Sequence, residues 1–308
     1  MQPEPVFEGL NSSALEEAVF MRVPLSPWLV IFAIALSVGA CTRVGFAYKH
    51  LNTLIPWSMN DYLDMNSEQR RWFDERLADH LRWHCSHELP RYLEWMDGIK
   101  TMVRNQQVSP VTIRARMDEL KQAVDTLAVE ITPTSTDLLK QLTDQQVAEL
   151  KEELDRDIRD RRKKYLDPSR GEQIRDRAAR MEERISFWTG GSLNPAQKDR
   201  IMQWSVQLGD QNQAWVGNRI QWQRELLEAL QHRGEPDFPQ RVKQLLQDRE
   251  SLWTPAYRES FSKTQEAAIS LIDDVYKSTD ETQRNQIVSR LTDIQKDLEP
   301  QRCDRTKN

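Results

Sequence analysis

Apolar residues in this chain recur at steps of three and four and almost never at steps of two. Trp72, Phe73, Leu77, Leu81 and His84 share one helical face. Ile113, Met117, Leu120, Val124, Leu127 and Ile131 share a second, and Val147, Leu150, Leu154, Ile158 and Tyr165 a third. That period lines one side of an α-helix, whereas a strand would need alternation. The chain is therefore restricted to helices packed on helices. Composition agrees: 30% of residues are charged and only 10 of 308 are Gly, which suits long, solvent-facing helices. The expected fold class is all-α, an elongated bundle of long antiparallel helices.

The breaks are read from Gly and Pro. The first helix opens near Ser67, with an interruption expected at Pro90 before Tyr92, Leu93, Met96 and Ile99 continue the pattern. Pro133 is expected to stop the second helix, because proline lacks the N–H and crowds the preceding turn. The third ends near Asp167-Pro168, and a fourth stops at Gly190-Gly191, a good C-terminal signal. Ile201, Leu208, Trp215 and Trp222 then recur every seven residues. They predict one helix from Pro195 to about Gln231, about 55 Å long at 1.5 Å per residue. Two more helices are expected at roughly 255–277 and 281–298.

Four segments begin alike: Met65-Asn66-Ser67-Glu68-Gln69, Leu142-Thr143-Asp144-Gln145-Gln146, Leu193-Asn194-Pro195-Ala196-Gln197 and Thr279-Asp280-Glu281-Thr282-Gln283. Each sets Asn, Thr or Asp three residues before Gln, the spacing of a capping box. The uneven intervals argue against a solenoid, and four well-capped helices account for the pattern. Leu142 to Gln146 also resembles the Leu-Thr-x-x-Gln signature of small periplasmic stress chaperones.

Trp28 to Leu36 is apolar and ends in Ser37-Val38-Gly39-Ala40-Cys41. It is too short to span a bilayer but long enough for a signal-peptide core. Small residues before a cysteine resemble the lipobox of bacterial lipoproteins, which implies acylation at Cys41. Thr42, rather than Asp, follows the cysteine, which by the same resemblance favours the outer membrane. Residues 1–20 carry Glu4, Glu8, Glu16 and Glu17 and no basic residue, whereas Met21-Arg22 supplies the positive start of a signal. The expected organisation is an upstream extension over 1–20, a signal peptide over 21–40, a lipid anchor and connecting segment over 41–65, and a helical periplasmic body over 66–308. Without residues 1–40 the net charge of −5 becomes −2, which gives no electrostatic case for nucleic acid. With Cys41 assigned to lipid, Cys85 and Cys303 are left as an expected disulfide in an oxidising compartment, worth roughly 3–5 kcal/mol by loop closure.

Catalytic signatures are missing. No Gly-x-Ser-x-Gly elbow, P-loop, dinucleotide fingerprint or His-Glu-x-x-His is present. The densest polar patch, Trp83-His84-Cys85-Ser86-His87-Glu88, puts two histidines three apart, yet His84 reads better as packed beside Trp83 than as a metal ligand. Trp83, His84 and Glu88 are candidate binding residues. So are Trp215, Arg219 and Trp222, whose aromatic and Arg stripe suits either a core or a groove for peptide, glycan or lipid. No metal, cofactor or catalytic residue is assigned.

The blocks Asp61 to Gln69, Leu81-Arg82-Trp83-His84, Glu88 to Tyr92, Gly191 to Gln197, Gln221-Trp222-Gln223 and Thr282-Gln283-Arg284 are similar to a family of Gram-negative lipoproteins of unknown function. Met65 and Asn66 stand where that family more often has Leu-Thr. The resemblance implies an all-helical envelope lipoprotein and brings no activity or cofactor. The expected role is binding or structural, with membrane lipid held through Cys41 and an envelope protein or peptidoglycan as partner. A tethered holdase chaperone is the alternative, and an envelope glycan or lipid hydrolase using carboxylates near His84 and Glu88 a third.

Overall fold

The computed structural model describes residues 42–303, and the proposed extension, signal peptide and Cys41 lie outside them. Helices follow one another with no strand among the described residues. They are α1 (Thr42–Lys49), α2 (Leu51–Asn60), α3 (Ser67–Trp83), a π-helical turn (His84–Glu88), α4 (Leu89–Arg104), α5 (Pro110–Lys140), α6 (Asp144–Tyr165) and α7 (Arg170–Thr189). After these come α8 (Pro195–Gln207), α9 (Gln211–Gln231), α10 (Phe238–Gln247), α11 (Pro255–Lys277) and α12 (Glu281–Leu298), with short 3-10 turns at Arg249–Leu252 and Glu299–Gln301.

All four expected capping boxes form, at Asn66, Thr143, Asn194 and Asp280. Their glutamines do more than cap, because they meet in pairs. Gln69 Nε2 donates to Gln146 Oε1 (3.2 Å) and to Gln141 O (3.0 Å), while Gln146 Nε2 donates to Gln69 Oε1 (2.8 Å) and to Asp64 O (2.6 Å). The second pair repeats this bond for bond. Gln197 Nε2 reaches Gln283 Oε1 (3.0 Å) and Ser278 O (3.4 Å), and Gln283 Nε2 reaches Gln197 Oε1 (3.2 Å) and Ser192 O (2.9 Å). In every case the accepting carbonyl lies five residues before the partner glutamine. One clasp therefore joins the starts of α3 and α6, and the other the starts of α8 and α12. Beyond the clasps the halves exchange: α4, continuing α3, packs on α12, while α9, continuing α8, packs on α6.

The largest core surrounds the first clasp, where Ile55, Phe73, Leu77, Leu138, Leu150, Leu154, Leu230, Phe238 and Val242 meet from six helices. Trp204, Ile201, Ala178 and Leu271 join α7, α8 and α11. Val44, Leu89, Leu93, Met96, Leu291, Ile294 and Leu298 bind α1 and α4 to α12. Within the expected connecting segment, residues 42–49 and 51–60 are helical, and α1 packs on the body.

Three expected breaks differ. The helix expected over Pro195–Gln231 is two, α8 and α9, separated at Leu208-Gly209-Asp210 with Gly209 at φ +55°. The seven-residue stripe is divided by this break: Ile201 and Leu208 pack in the core of α7, α8 and α11, whereas Trp222 packs on the main core. Pro133 does not stop α5, which runs on to Lys140. Pro133 and Val129 are both exposed, so water can take the carbonyl that the missing N–H leaves unpaired. Pro90 does not interrupt its helix either. It sits in the first turn of α4, and the carbonyl that its missing N–H would reach in the π register, Cys85 O, accepts instead from the Cys303 N–H at 3.2 Å.

Candidate functional site at two helix junctions

The two candidate patches occupy comparable places, each about five turns beyond its clasp. One is the turn between α3 and α4. The other is the face of α9 that meets the end of α6.

In the first junction the Leu89 N–H donates to His84 O, the wide π-type bond that turns His84 and Glu88 toward the interior. The Tyr48 hydroxyl, from α1, lies 2.8 Å from His84 Nδ1, and the Tyr92 ring stands edge-on to the imidazole at 5.4 Å. Burial pushes His84 down to about 4, so the ring is neutral at ordinary pH. Burial also pushes the Tyr48 and Tyr92 hydroxyls well above their usual range. Glu88 is 2% exposed. Its Oε1 accepts from Arg91 Nη1 at 2.9 Å, and its Oε2 is buried with no hydrogen-bond partner among the described residues. His87 is exposed, stacked on Trp83, with Nδ1 2.8 Å from Ser86 Oγ. His84 and His87 therefore serve different surroundings. Cys85 faces Cys303 with Cα atoms 5.2 Å apart, and the Cys303 N–H donates to Cys85 O at 3.2 Å. The junction is a closed, polar-lined packing centre that ties α1, α3, α4 and the C-terminal turn together.

In the second junction Trp215 stands edge-on to Tyr165, with ring centres 5.3 Å apart. Arg161 lies over the Trp215 ring at 5.4 Å, and Lys164 and Arg180 over the Tyr165 ring at 5.6 and 5.7 Å. Cations over aromatic faces are attracted by the ring quadrupole. Below them Asp157 accepts from Arg219 (2.6 Å), Arg161 (2.7 Å) and Gln223 (3.1 Å). Burial alone would raise the Asp157 carboxyl, but Arg219 and Arg161 outweigh it and hold it below the usual range. Arg177, 1% exposed, donates to Ser205 O (2.8 Å), Gly209 O (3.4 Å) and Asn212 Oδ1 (3.4 Å). Burial, with Arg180 adding, lowers it to about 10, so it remains a cation. The three acceptors span the α8–α9 break, and the two backbone carbonyls, Ser205 O and Gly209 O, gain from Arg177 partners in place of helical ones.

Trp215 and Arg219 thus share a junction, whereas Trp222 does not join them. Trp222 packs against the main core and donates Nε1 to Leu245 O at 3.1 Å. Between α9 and α10 a cleft of about 320 Å³ is lined by Glu225, Glu228, Asp237 and Arg241, none of them a residue singled out by sequence. Tyr48, Asp157, Arg161 and Arg177 were missed by the sequence reading, and Tyr92 was seen only as an apolar position of its helix. Tyr165 was visible as the last apolar position of its stripe, but Arg177 looks like any other charged residue of α7.

Among the described residues no cluster of three or more His, Cys, Asp or Glu is arranged to hold a metal ion, and no helix is long and apolar enough to cross a membrane. Residues 61–258 match a family of unknown function, DUF6279. No curated protein and no solved structure matches the chain.

Proposed function

The chain belongs to DUF6279, a family of unknown function, and from that premise we propose that it is an outer-membrane lipoprotein, acylated at Cys41, whose helical body binds another component of the cell envelope. The observation that carries this reading is the apolar Trp28–Leu36 run that ends in Ser37-Val38-Gly39-Ala40-Cys41. Among the described residues the first helix, α1, packs on the body through Val44, three residues past Cys41. Mass spectrometry of the membrane-extracted chain tests the anchor. The expected result is a lipid-bearing N-terminal Cys41, and Cys41→Ser is expected to abolish both the lipid and membrane fractionation. An unmodified chain that begins upstream of Cys41 would overturn it.

The same oxidising compartment is the reason to read Cys85 and Cys303 as a disulfide. Maleimide labelling of the unfolded chain is expected to modify neither thiol until reductant is added. For the binding partner, the Trp215–Tyr165 ledge with Arg161 is the favoured contact, as rigid aromatics beside arginine are typical anchors of recognition. A photo-crosslinker at Trp215 should capture one defined envelope species. A smear no different from that of a crosslinker at exposed Val111 would count against it.

A tethered holdase chaperone is the second reading. It is favoured by the four capping boxes and the Leu142-Thr143-x-x-Gln146 resemblance. Suppression of aggregation of an unfolded client at near-stoichiometric ratio is its test, and no suppression would remove it.

A further inference from the structure

Two side chains break the usual rule for aromatic residues in this fold. Phe46 is 66% exposed and Trp57 is 67% exposed. Every other aromatic residue among the described ones is at least half-buried. Both lie in the first two helices, which in sequence follow Cys41 directly. The local charge is also unlike the rest of the chain. Residues 41–60 contain Arg43, Lys49 and His50 and no Asp or Glu, in a chain with 48 acidic residues. Lys49 is exposed.

Helix α1 cannot swing freely beneath an anchor. Val44 is 5% exposed and belongs to the core shared with Leu291, Ile294 and Leu298 of α12. A Cβ on Gly45 would stand 2.7 Å from Asp297 O, so glycine is what lets α1 lie this close to α12. With Val44 turned in, Phe46 is turned out. Phe46 is five residues past Cys41, within about 18 Å even for a fully extended chain. Any lipid on Cys41 would therefore bring the ring to the headgroup layer.

We propose that α1 and α2 form a membrane-docking face, in which Phe46 and Trp57 enter the bilayer interface and the carboxylate-free 41–60 segment meets anionic phospholipid headgroups. Tryptophan and phenylalanine favour that interface, and basic residues beside it are drawn to anionic lipid. The proposal rests on the Cys41 anchor and goes beyond it. Instead of hanging from a flexible tether, the body would rest on the membrane in one orientation, with junctions and cleft at fixed heights above it.

The test uses the full chain extracted from membranes and reconstituted into vesicles of phosphatidylethanolamine and phosphatidylglycerol. Flotation reads the anchor, and quenching of tryptophan emission by lipids brominated near the headgroup reads the docking. Wild-type chain is expected to be quenched, Trp57→Phe to lose most of that quenching, and Phe46→Ser to reduce it. Replacing phosphatidylglycerol by phosphatidylcholine should weaken it as well. Trp57→Phe is a surface change and is expected to leave the fold intact, as circular dichroism would verify. A chain that floats through its lipid yet shows the same quenching with and without Trp57 overturns the docking and leaves the anchor standing. A chain whose mass shows no lipid on Cys41 overturns the anchor, and docking is then judged by the quenching of that same chain mixed with the vesicles. A photo-crosslinker at position 57 that captures a single protein and no lipid would also overturn the bilayer as the occupant.

Discussion

At the scale of single residues, the glutamine clasps show how a buried polar group is made tolerable. Gln69 Oε1 accepts from the Asn66 N–H (3.0 Å) and from Gln146 Nε2 (2.8 Å), while its Nε2 makes the two donations described above. Both amide hydrogens and both acceptor lone pairs are thus in use. Removing one glutamine strands its partner and a carbonyl in the interior, so Gln69→Ala should cost about 2–4 kcal/mol. A double-mutant cycle in urea should return a coupling of roughly 1 kcal/mol or more for Gln69 with Gln146, and none beyond about 0.5 kcal/mol for Gln69 with Gln197. Equal coupling in both cycles would show that the clasps are not separate units. His84 supplies a pH dependence. Its pKa is near 6.5 in the unfolded chain and about 4 in the fold, so the folded state favours the neutral ring. That contribution is complete above pH 6.5 and is lost as pH falls from 6.5 to 4, where the unfolded chain binds the proton first. His84→Gln should flatten the stability profile in that window, as denaturation series at stepped pH would read.

Elements show which sequence signals hold up and which need their surroundings. Capping boxes are local, since cap, amide and glutamine lie within four residues of one another, and all four were legible. The ends of α6, α7, α11 and α12 were legible for the same reason. The α8–α9 break was not, because Gly209 alone does not end a helix. Here Arg177 arrives from α7 to hold Ser205 O and Gly209 O. Two glycines should separate these effects. Gly209, at φ +55°, is strained by any side chain, and Gly209→Ala should destabilise by about 1 kcal/mol. Gly217 lies inside α9 with nothing within 4 Å of an added Cβ, and Gly217→Ala should stabilise by about 0.5–1 kcal/mol. Chemical denaturation of both variants is the check, and like signs would refute the assignment of the break. Pro133 makes the opposite point: a strong stop signal is overridden when the helix is packed on both sides of it and the freed carbonyl faces water.

Across the whole molecule, the two halves are held by exchange, α4 onto α12 and α9 onto α6, and α1 meets the Glu299–Gln301 turn at the first junction. If Cys85 and Cys303 are bonded, a separation of 218 residues is closed there, and the Cys85→Ala, Cys303→Ala pair should lower stability by roughly 3–5 kcal/mol. A change below about 1 kcal/mol, with both thiols shown to be oxidised in the parent, would mean the unfolded chain is already compact. The sequence by itself determined the all-α class, most helix bounds and the four caps, since period and cap chemistry act without knowledge of neighbours. Only the tertiary structure decided that the caps pair, that Trp215 and Arg219 share a junction from which Trp222 is absent, and that Phe46 and Trp57 are left out of every core. Those outcomes depend on which distant surfaces meet. Gln69 and Gln146 are 77 residues apart, and no short-range pattern encodes which of four identical amides will face which.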